Sequence, residues 1–184
     1  MLDTFSVNTL KKIDENENLK LIDLSFISKT PEIILGQELH RLIYYYIKGF
    51  DIKKIEENLD ENIKSIWEKI KNSKILDKNF VFTEVGFLIK LDNYFLDGRF
   101  DAIYKEGDQY TIVDWKTKNL PKNPKSDIQT LVYLYCASKL LKTKKIKMKY
   151  ITLKSLEEAE IGFGDEKDYE KRILEIIKKY KALK

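Results

Sequence analysis

The residues most able to do chemistry sit in one triplet, Asp114-Trp115-Lys116. On an extended strand, side chains alternate in direction, so Asp114 and Lys116 share one face and Trp115 takes the other. A carboxylate and an ammonium side by side are costly to bury. They suit a site where the carboxylate holds a divalent cation and the lysine orients a water or offsets charge on a phosphate oxygen; oxygen ligands favour Mg²⁺ or Mn²⁺. The plain alternative is a surface ion pair of little consequence. Asp101, in Gly98-Arg99-Phe100-Asp101, lies on the strand that turns back into the Asp114 strand, so the hairpin brings two carboxylates within reach of one cation. Such a pair repels unless a metal neutralises it. Arg99 shares the Asp101 face, which leaves an Arg99–Asp101 ion pair as an alternative.

Two further pieces border this hairpin. Gln129 and Tyr133 are four apart on the next helix and so share a face. An amide and a phenol there either hold a nucleotide or steady the lysine, and Tyr133 amid Leu131, Val132, Leu134 and Tyr135 also reads as core. His40 is the only histidine. It follows Gly36 by one helical turn, and a glycine there permits close approach to the helix. His40 is either a nitrogen ligand completing a mostly oxygen site or a satisfied structural histidine.

The elements that must position these residues follow from periodicity. Pro31-Glu32, with Thr30 as N-cap, starts a helix that runs through Leu35, Leu39, Leu42 and Ile43 to Gly49. A second amphipathic helix is predicted over Ile52–Ile70. Phe80–Lys90, Tyr94–Ile103 and Gln109–Lys116 read as an antiparallel meander with a turn at Lys105-Glu106-Gly107-Asp108. A Pro121–Pro124 loop leads to a helix over Ser126–Leu141, then a strand Ile146–Leu153 reached by a helical crossover, then a helix Asp168–Leu183. Residues 1–30 read as short helical or irregular pieces. The order implies an α/β sandwich around a mixed sheet.

Taken in order, these pieces resemble the PD-(D/E)xK nuclease superfamily, in the branch of the RecB nuclease domain and the CRISPR-associated RecB-like exonucleases. That branch carries a glycine and histidine on an early helix (here Gly36 and His40), then glycine-x-x-aspartate (Gly98 and Asp101), aspartate-x-lysine (Asp114 and Lys116) and glutamine-x-x-x-tyrosine (Gln129 and Tyr133). The resemblance implies a restriction-endonuclease-like α/β sandwich, with a central mixed sheet flanked by helices, and a single nuclease domain over residues 1–184 whose motif-bearing core is about 31–153. It implies His40, Asp101 and Asp114 as ligands of Mg²⁺ or Mn²⁺, with the Trp115 carbonyl as a further ligand. Lys116 would be the catalytic lysine, acting with Asp114 and Asp101. Gln129 and Tyr133 would be the nucleic-acid-facing part of the site. Glu84, ahead of Gly98, resembles an additional glutamate of the family, or is a solvent-facing edge residue.

The implied reaction is metal-assisted hydrolysis of DNA phosphodiester bonds, most simply by an exonuclease on single strands or duplex ends. A structure- or sequence-selective endonuclease, or a non-catalytic nucleic-acid-binding protein, are the alternatives. Lys118 and Lys122 in the loop are candidate phosphate contacts, as are Lys142, Lys144, Lys145, Lys147 and Lys149, for which a solvated edge is the competing reading. A helicase or recombination partner would be a separate chain.

Composition excludes several classes. The chain has 184 residues, 43% hydrophobic and 35% charged, which is a globular composition. The longest uncharged run, Ile128–Ser138, spans eleven residues, against about 20 for a membrane span. No secretory signal is apparent at the start, and the expected location is cytoplasmic. The single cysteine, Cys136, excludes a four-cysteine iron–sulfur cluster of the kind found in the CRISPR-associated relatives. Net charge is +4, with the excess carried by the segment from Lys139 onward.

Overall fold

The computed structural model describes residues 3–15 and 30–182. Its elements are β1 (Asp3–Ser6), α1 (Val7–Glu15), α2 (Pro31–Ile47), α3 (Lys53–Glu57), α4 (Glu61–Asn72), β2 (Phe80–Leu91), β3 (Tyr94–Glu106), β4 (Gln109–Lys116), α5 (Ile128–Leu141), β5 (Ile146–Thr152), β6 (Glu158–Gly162) and α6 (Glu166–Lys181).

The sheet is built on β3. One edge of β3 pairs antiparallel with β2 from Tyr94 to Tyr104. The other edge is shared: β1 runs parallel to it over Tyr94–Asp97, and β4 runs antiparallel over Ala102–Glu106. Between these two pairings, at residues 98–101, the sheet forks. From the fork, β4 continues into parallel β5 and then antiparallel β6. Parallel pairing of consecutive strands needs a crossover, and α5 provides it.

Alternation along the strands sends neighbouring side chains into two cores. Ile103 and Ile112 pack with α1, α5 and α6 on one side; Ala102, Val113 and Trp115 pack with α2 and α4 on the other. This is the mixed α/β sandwich expected from the sequence. Helix α5 is buried at every position from Ile128 to Ser138, Cys136 included, because it lies between the sheet and helices α1 and α6. An apolar stripe would not suffice for such a helix, and it is apolar nearly all round.

Helix α2 starts as its sequence dictates, with Pro31 in the first turn and the Thr30 hydroxyl accepting from the Ile33 N–H at 3.4 Å. The helix predicted over Ile52–Ile70 is two helices. Asp60 accepts from the Ile63 N–H at 2.9 Å and so caps a new helix, α4, after the short α3. Strands β1 and β6 were not expected. Residues 3–6, which read in the sequence as helical or irregular, form β1. β6 does alternate exposed Glu158 and Glu160 with half-buried Ala159 and Ile161, but over only five residues and with a single β-branched residue. The expected irregular stretch at residues 16–29 and the Leu183 helix end lie outside the described residues. Among the described residues, no helix is long and apolar enough to cross a membrane.

Candidate active site

The fork in the sheet makes the site. At Ala102 and Val113 strands β3 and β4 are still paired. Beyond this pair the ladder gives way to a side chain: the Trp115 N–H donates to Asp101 Oδ2 at 2.9 Å. The Asp101 carboxylate thus fills the gap between the diverging strands, and Asp101 and Asp114 come to line one cleft of about 710 Å³. Ser6, Val7 and Lys11 close its far side. Gly98 is required by this closure. A Cβ there would fall 2.6 Å from the Phe87 ring and 2.8 Å from Val7.

Asp114 is 4% exposed. Its Oδ1 accepts from the Gln129 side-chain N–H at 2.5 Å, and the Gln129 carbonyl oxygen accepts from the Lys116 ammonium at 2.9 Å. Lys116 Nζ is also 2.7 Å from Asp114 Oδ2. Oδ2 is buried, and this ammonium contact is what compensates it. The Asp127 side chain caps α5 by accepting from the Gln129 backbone N–H at 2.8 Å, which fixes where the first turn of α5 presents the Gln129 amide. Of the two readings open at the sequence level for Gln129, steadying the lysine is what the geometry displays. Tyr133 is buried, and its hydroxyl donates to the Arg99 carbonyl at 2.8 Å.

Helix α2 brings His40 to the opposite wall. A side chain at position 36 would place its Cβ 2.9 Å from Thr117 Oγ1, so Gly36 lets α2 approach the end of β4. The His40 Nε2 lies 3.1 Å from the Trp115 carbonyl. Its Nδ1 lies 3.7 Å from Asp101 Oδ2 and 3.8 Å from Glu84 Oε1. One ligand atom from each of His40, Glu84 and Asp101 lies within 4.8 Å of the others. Glu84 reaches this position through a backbone departure. The β2–β3 register pairs Thr83 with Ala102 and Val85 with Phe100, which sets Glu84 across from Asp101, and Glu84 itself has φ +50°. A non-glycine residue in the left-handed region inside a strand costs energy and recurs at functional sites. Arg99, a candidate partner for Asp101 by sequence, is instead paired with Glu84 at 2.8 Å.

The electrostatics carry the same message. Burial, then the charge of Asp114, pushes the Asp101 carboxyl up to about 7, against the opposing pull of His40. Burial alone would depress the imidazolium of His40, but the Glu84 contact and the charge of Asp101 raise it to about 8. Tyr133 is pushed well up by burial and by Asp114 and Asp101. An excess of negative charge has therefore been packed into a small volume and is partly relieved by protons. The donor set of one imidazole and two carboxylates, with the Asp114 carboxylate lining the same cleft, fits a divalent cation.

Of the candidate phosphate contacts, Lys122 lines a cleft of about 490 Å³ with Lys11, Lys116 and Asn123. Lys118 is exposed and within electrostatic reach of Glu32. Four of the five lysines after α5 are matched by acids that the linear sequence hides: Lys147 and Lys149 pair with Glu160 and Glu158 at 2.8 and 2.9 Å, Lys145 with Asp108, and Lys144 with Glu166 at 3.7 Å. The solvated-edge reading holds for these four. Lys11 also borders the cleft that holds Asp101 and Asp114; no sequence motif marks α1.

Comparison with known proteins places these features in context. A tRNA/tmRNA (uracil-C(5))-methyltransferase from Nautilia profundicola is 29% identical over 142 residues, covering 70% of this chain and 34% of that protein. This chain thus spans about a third of that curated relative's length. The crystal structure of a candidate exonuclease from Eubacterium rectale superposes with a TM-score of 0.57 at 13% identity, over 95% of this chain and 77% of that one, which shows the fold. The crystal structure of SSO0001 aligns at 20% identity over 100% of this chain and 78% of that one, with a TM-score of 0.49. The sequence profile of the PD-(D/E)XK nuclease superfamily matches residues 27–182, a span that contains every site residue from His40 to Tyr133. This chain belongs to the PD-(D/E)XK nuclease superfamily.

Proposed function

We propose that this protein is a metal-dependent deoxyribonuclease that hydrolyses phosphodiester bonds, acting as an exonuclease on linear or single-stranded DNA, in the RecB-like branch of its superfamily. The observation that carries the reading is the convergence of His40, Glu84 and Asp101 with the Asp114–Gln129–Lys116 chain at the fork between β3 and β4. Support for the branch comes from the early-helix histidine and the Gln129–Tyr133 pair, both of which border this one cleft. Residues about 31–153 would form the motif-bearing core of a single nuclease unit.

His40, Glu84, Asp101 and Asp114 would hold Mg²⁺ or Mn²⁺. When bound, the ion supplies Lewis-acid polarisation of the phosphate and a more acidic water. The His40 ring is oriented for this by the Trp115 carbonyl, which accepts from Nε2–H and leaves the Nδ1 lone pair toward Glu84 and Asp101. In this reading the Trp115 carbonyl, which the resemblance implied as a ligand, serves as that orienting acceptor. Lys116 places its ammonium beside the attacked phosphate, positions the water and offsets charge as it develops on the phosphate oxygens. Gln129 holds Lys116 and Asp114 at fixed separation, and Tyr133 ties α5 to the β3 backbone at Arg99. Lys122 and Lys118 would contact the phosphate backbone without reading sequence. Opening of duplex substrate would fall to a separate helicase or recombination partner.

The test uses end-labelled linear single-stranded DNA, its duplex, a closed circle and an RNA strand of the same sequence, each with Mn²⁺, Mg²⁺ or EDTA. The expected result is metal-dependent shortening of linear DNA alone. The RNA arm is prompted by the similarity to a protein named for tRNA and tmRNA. Cutting of the circle would favour an endonuclease, and no cleavage of any form by folded protein would overturn the reading.

A further inference from the structure

A second cleft, of about 640 Å³, opens beside the catalytic one and shares His40 and Arg99 with it. The α2 face that delivers His40 continues along this cleft as Gln37, Arg41 and Tyr44, three before, one after and four after the histidine. The facing wall is Thr83 and Arg99 from β2 and β3. This lining serves neither core. Gln37 and Arg41 are exposed and Tyr44 is half-buried.

Each arginine along the cleft is paired with one acid, but a guanidinium carries five N–H donors and keeps others for a ligand, whereas a lysine ammonium is a compact charge matched by a single carboxylate. The Thr83 hydroxyl is buried and has no hydrogen-bond partner, which costs stability unless something else occupies it. The Arg99 guanidinium is largely exposed and contacts Glu84 through Nε at 2.8 Å. Arg41 is held by Glu38 at 2.5 Å through one of its nitrogens. The Tyr44 ring is braced by Tyr45, with ring centres 5.6 Å apart. Guanidiniums, an orphan hydroxyl and a braced aromatic face together recognise phosphate, sugar and an unstacked base.

We infer that this cleft is the subsite for the nucleotide adjoining the scissile phosphate, and that it selects a single strand, with Tyr44 stacking the base and Arg41, Arg99 and Thr83 holding its phosphate and sugar. The inference rests on the nuclease reading above and deepens it. Single-strand selection follows from geometry: a duplex keeps its base faces stacked inside, so a ring such as Tyr44 gains contact only with an unpaired base. Thr83, placed immediately before Glu84 in the sequence, makes the subsite continuous with the metal-binding group.

The experiment measures binding of fluorescein-labelled dT12, U12 and a duplex of the same length by anisotropy, in EDTA and again in Ca²⁺. Wild type should prefer a single strand, and the dT12 and U12 arms distinguish DNA from RNA. Tyr44→Ala and Arg41→Ala should each weaken single-strand binding about fivefold or more, with Tyr44→Phe within about twofold of wild type. Thr83→Val should weaken binding while raising the thermal midpoint, because it removes an orphan hydroxyl at nearly constant shape; a merely structural threonine would not show both. Lys147→Ala, whose lysine is paired with Glu160, should bind as wild type does. Binding by Tyr44→Ala equal to wild type, equal binding of duplex, or no binding of either strand by wild type would overturn the inference. Hydrolysis of bis(p-nitrophenyl) phosphate by the wild type with Mn²⁺ is followed in parallel. Its absence would count against the nuclease reading, while the binding data alone judge the cleft.

Discussion

The side chain of Gln129 joins Asp114 to Lys116: its N–H donates to Asp114 Oδ1 at 2.5 Å and its oxygen accepts from Lys116 Nζ at 2.9 Å. The two charged residues of the aspartate-x-lysine triplet are therefore held through a neutral third group on another element. Gln129→Leu should fold and should lower kcat by roughly 10- to 100-fold with a smaller change in KM, the usual cost of losing a group that orients a metal-site residue. Its pH–rate profile should also move, since Lys116 loses its neutral acceptor. Steady-state kinetics across pH check this; an unchanged profile would reduce Gln129 to a packing residue.

The metal-free site should be less stable at higher pH. Asp101 is raised from 3.8 to about 7, so the folded state holds that proton more tightly than the unfolded chain, and stability falls as pH rises from about 4 to 7. His40 is raised from 6.5 to about 8, so its stabilising charge is fully present below about 6.5 and is lost as pH rises through 8. Both effects have the same sign. In EDTA, the melting temperature of wild type relative to Asp101→Asn should decline between pH 4 and 7. Mn²⁺ should reverse the trend, because its binding needs the deprotonated ligands.

Glu84 offers a test of backbone strain. At ordinary strand positions glycine is less stable than alanine. At φ +50° the order should invert, with Glu84→Gly more stable than Glu84→Ala by about 1 kcal/mol. Both variants should bind Mn²⁺ more weakly than wild type. Chemical denaturation and calorimetric metal titration measure the two effects separately.

Gly98→Ala should destabilise the fold by about 1–3 kcal/mol, because its Cβ would meet the Phe87 ring and Val7 well inside contact distance. The loss should appear as a lower denaturation midpoint at unchanged slope. Gly107→Ala, at the β3–β4 turn where a Cβ meets nothing, bears only the strain of φ +60°, so its denaturation midpoint should lie above that of Gly98→Ala.

Much of the architecture was legible from local pattern. Thr30-Pro31 announced α2, and the β-branched and aromatic runs announced β2, β3 and β4. Alternation placed Trp115 opposite Asp114 and Lys116, as found. What escaped was set by tertiary context. The Asp60 cap splits a helix whose apolar period runs on through the break. β6 is held by its pairing to β5, while its own five residues include one β-branched side chain and end in glycine. The lysine run after α5 leaves phosphate contact and a solvated edge both open in the sequence, because its partners Asp108, Glu158, Glu160 and Glu166 lie outside the run. Within the site, spacing brought out Asp101, Asp114 and Lys116. It could not show that Arg99 turns to Glu84, or that Gln129 faces inward to the lysine.

If this cluster is the metal-dependent phosphodiesterase centre proposed above, hydrolysis depends on Asp114 and Lys116 together. The most direct measurement follows release of nucleotides from an end-labelled single DNA strand in Mn²⁺, with wild type, Asp114→Asn and Lys116→Ala purified and melted side by side. Wild type should release nucleotides in a reaction that EDTA abolishes, and each variant should lose at least about a hundredfold at preserved fold. Substantial release by folded Asp114→Asn protein, free of contaminating nuclease, would contradict it.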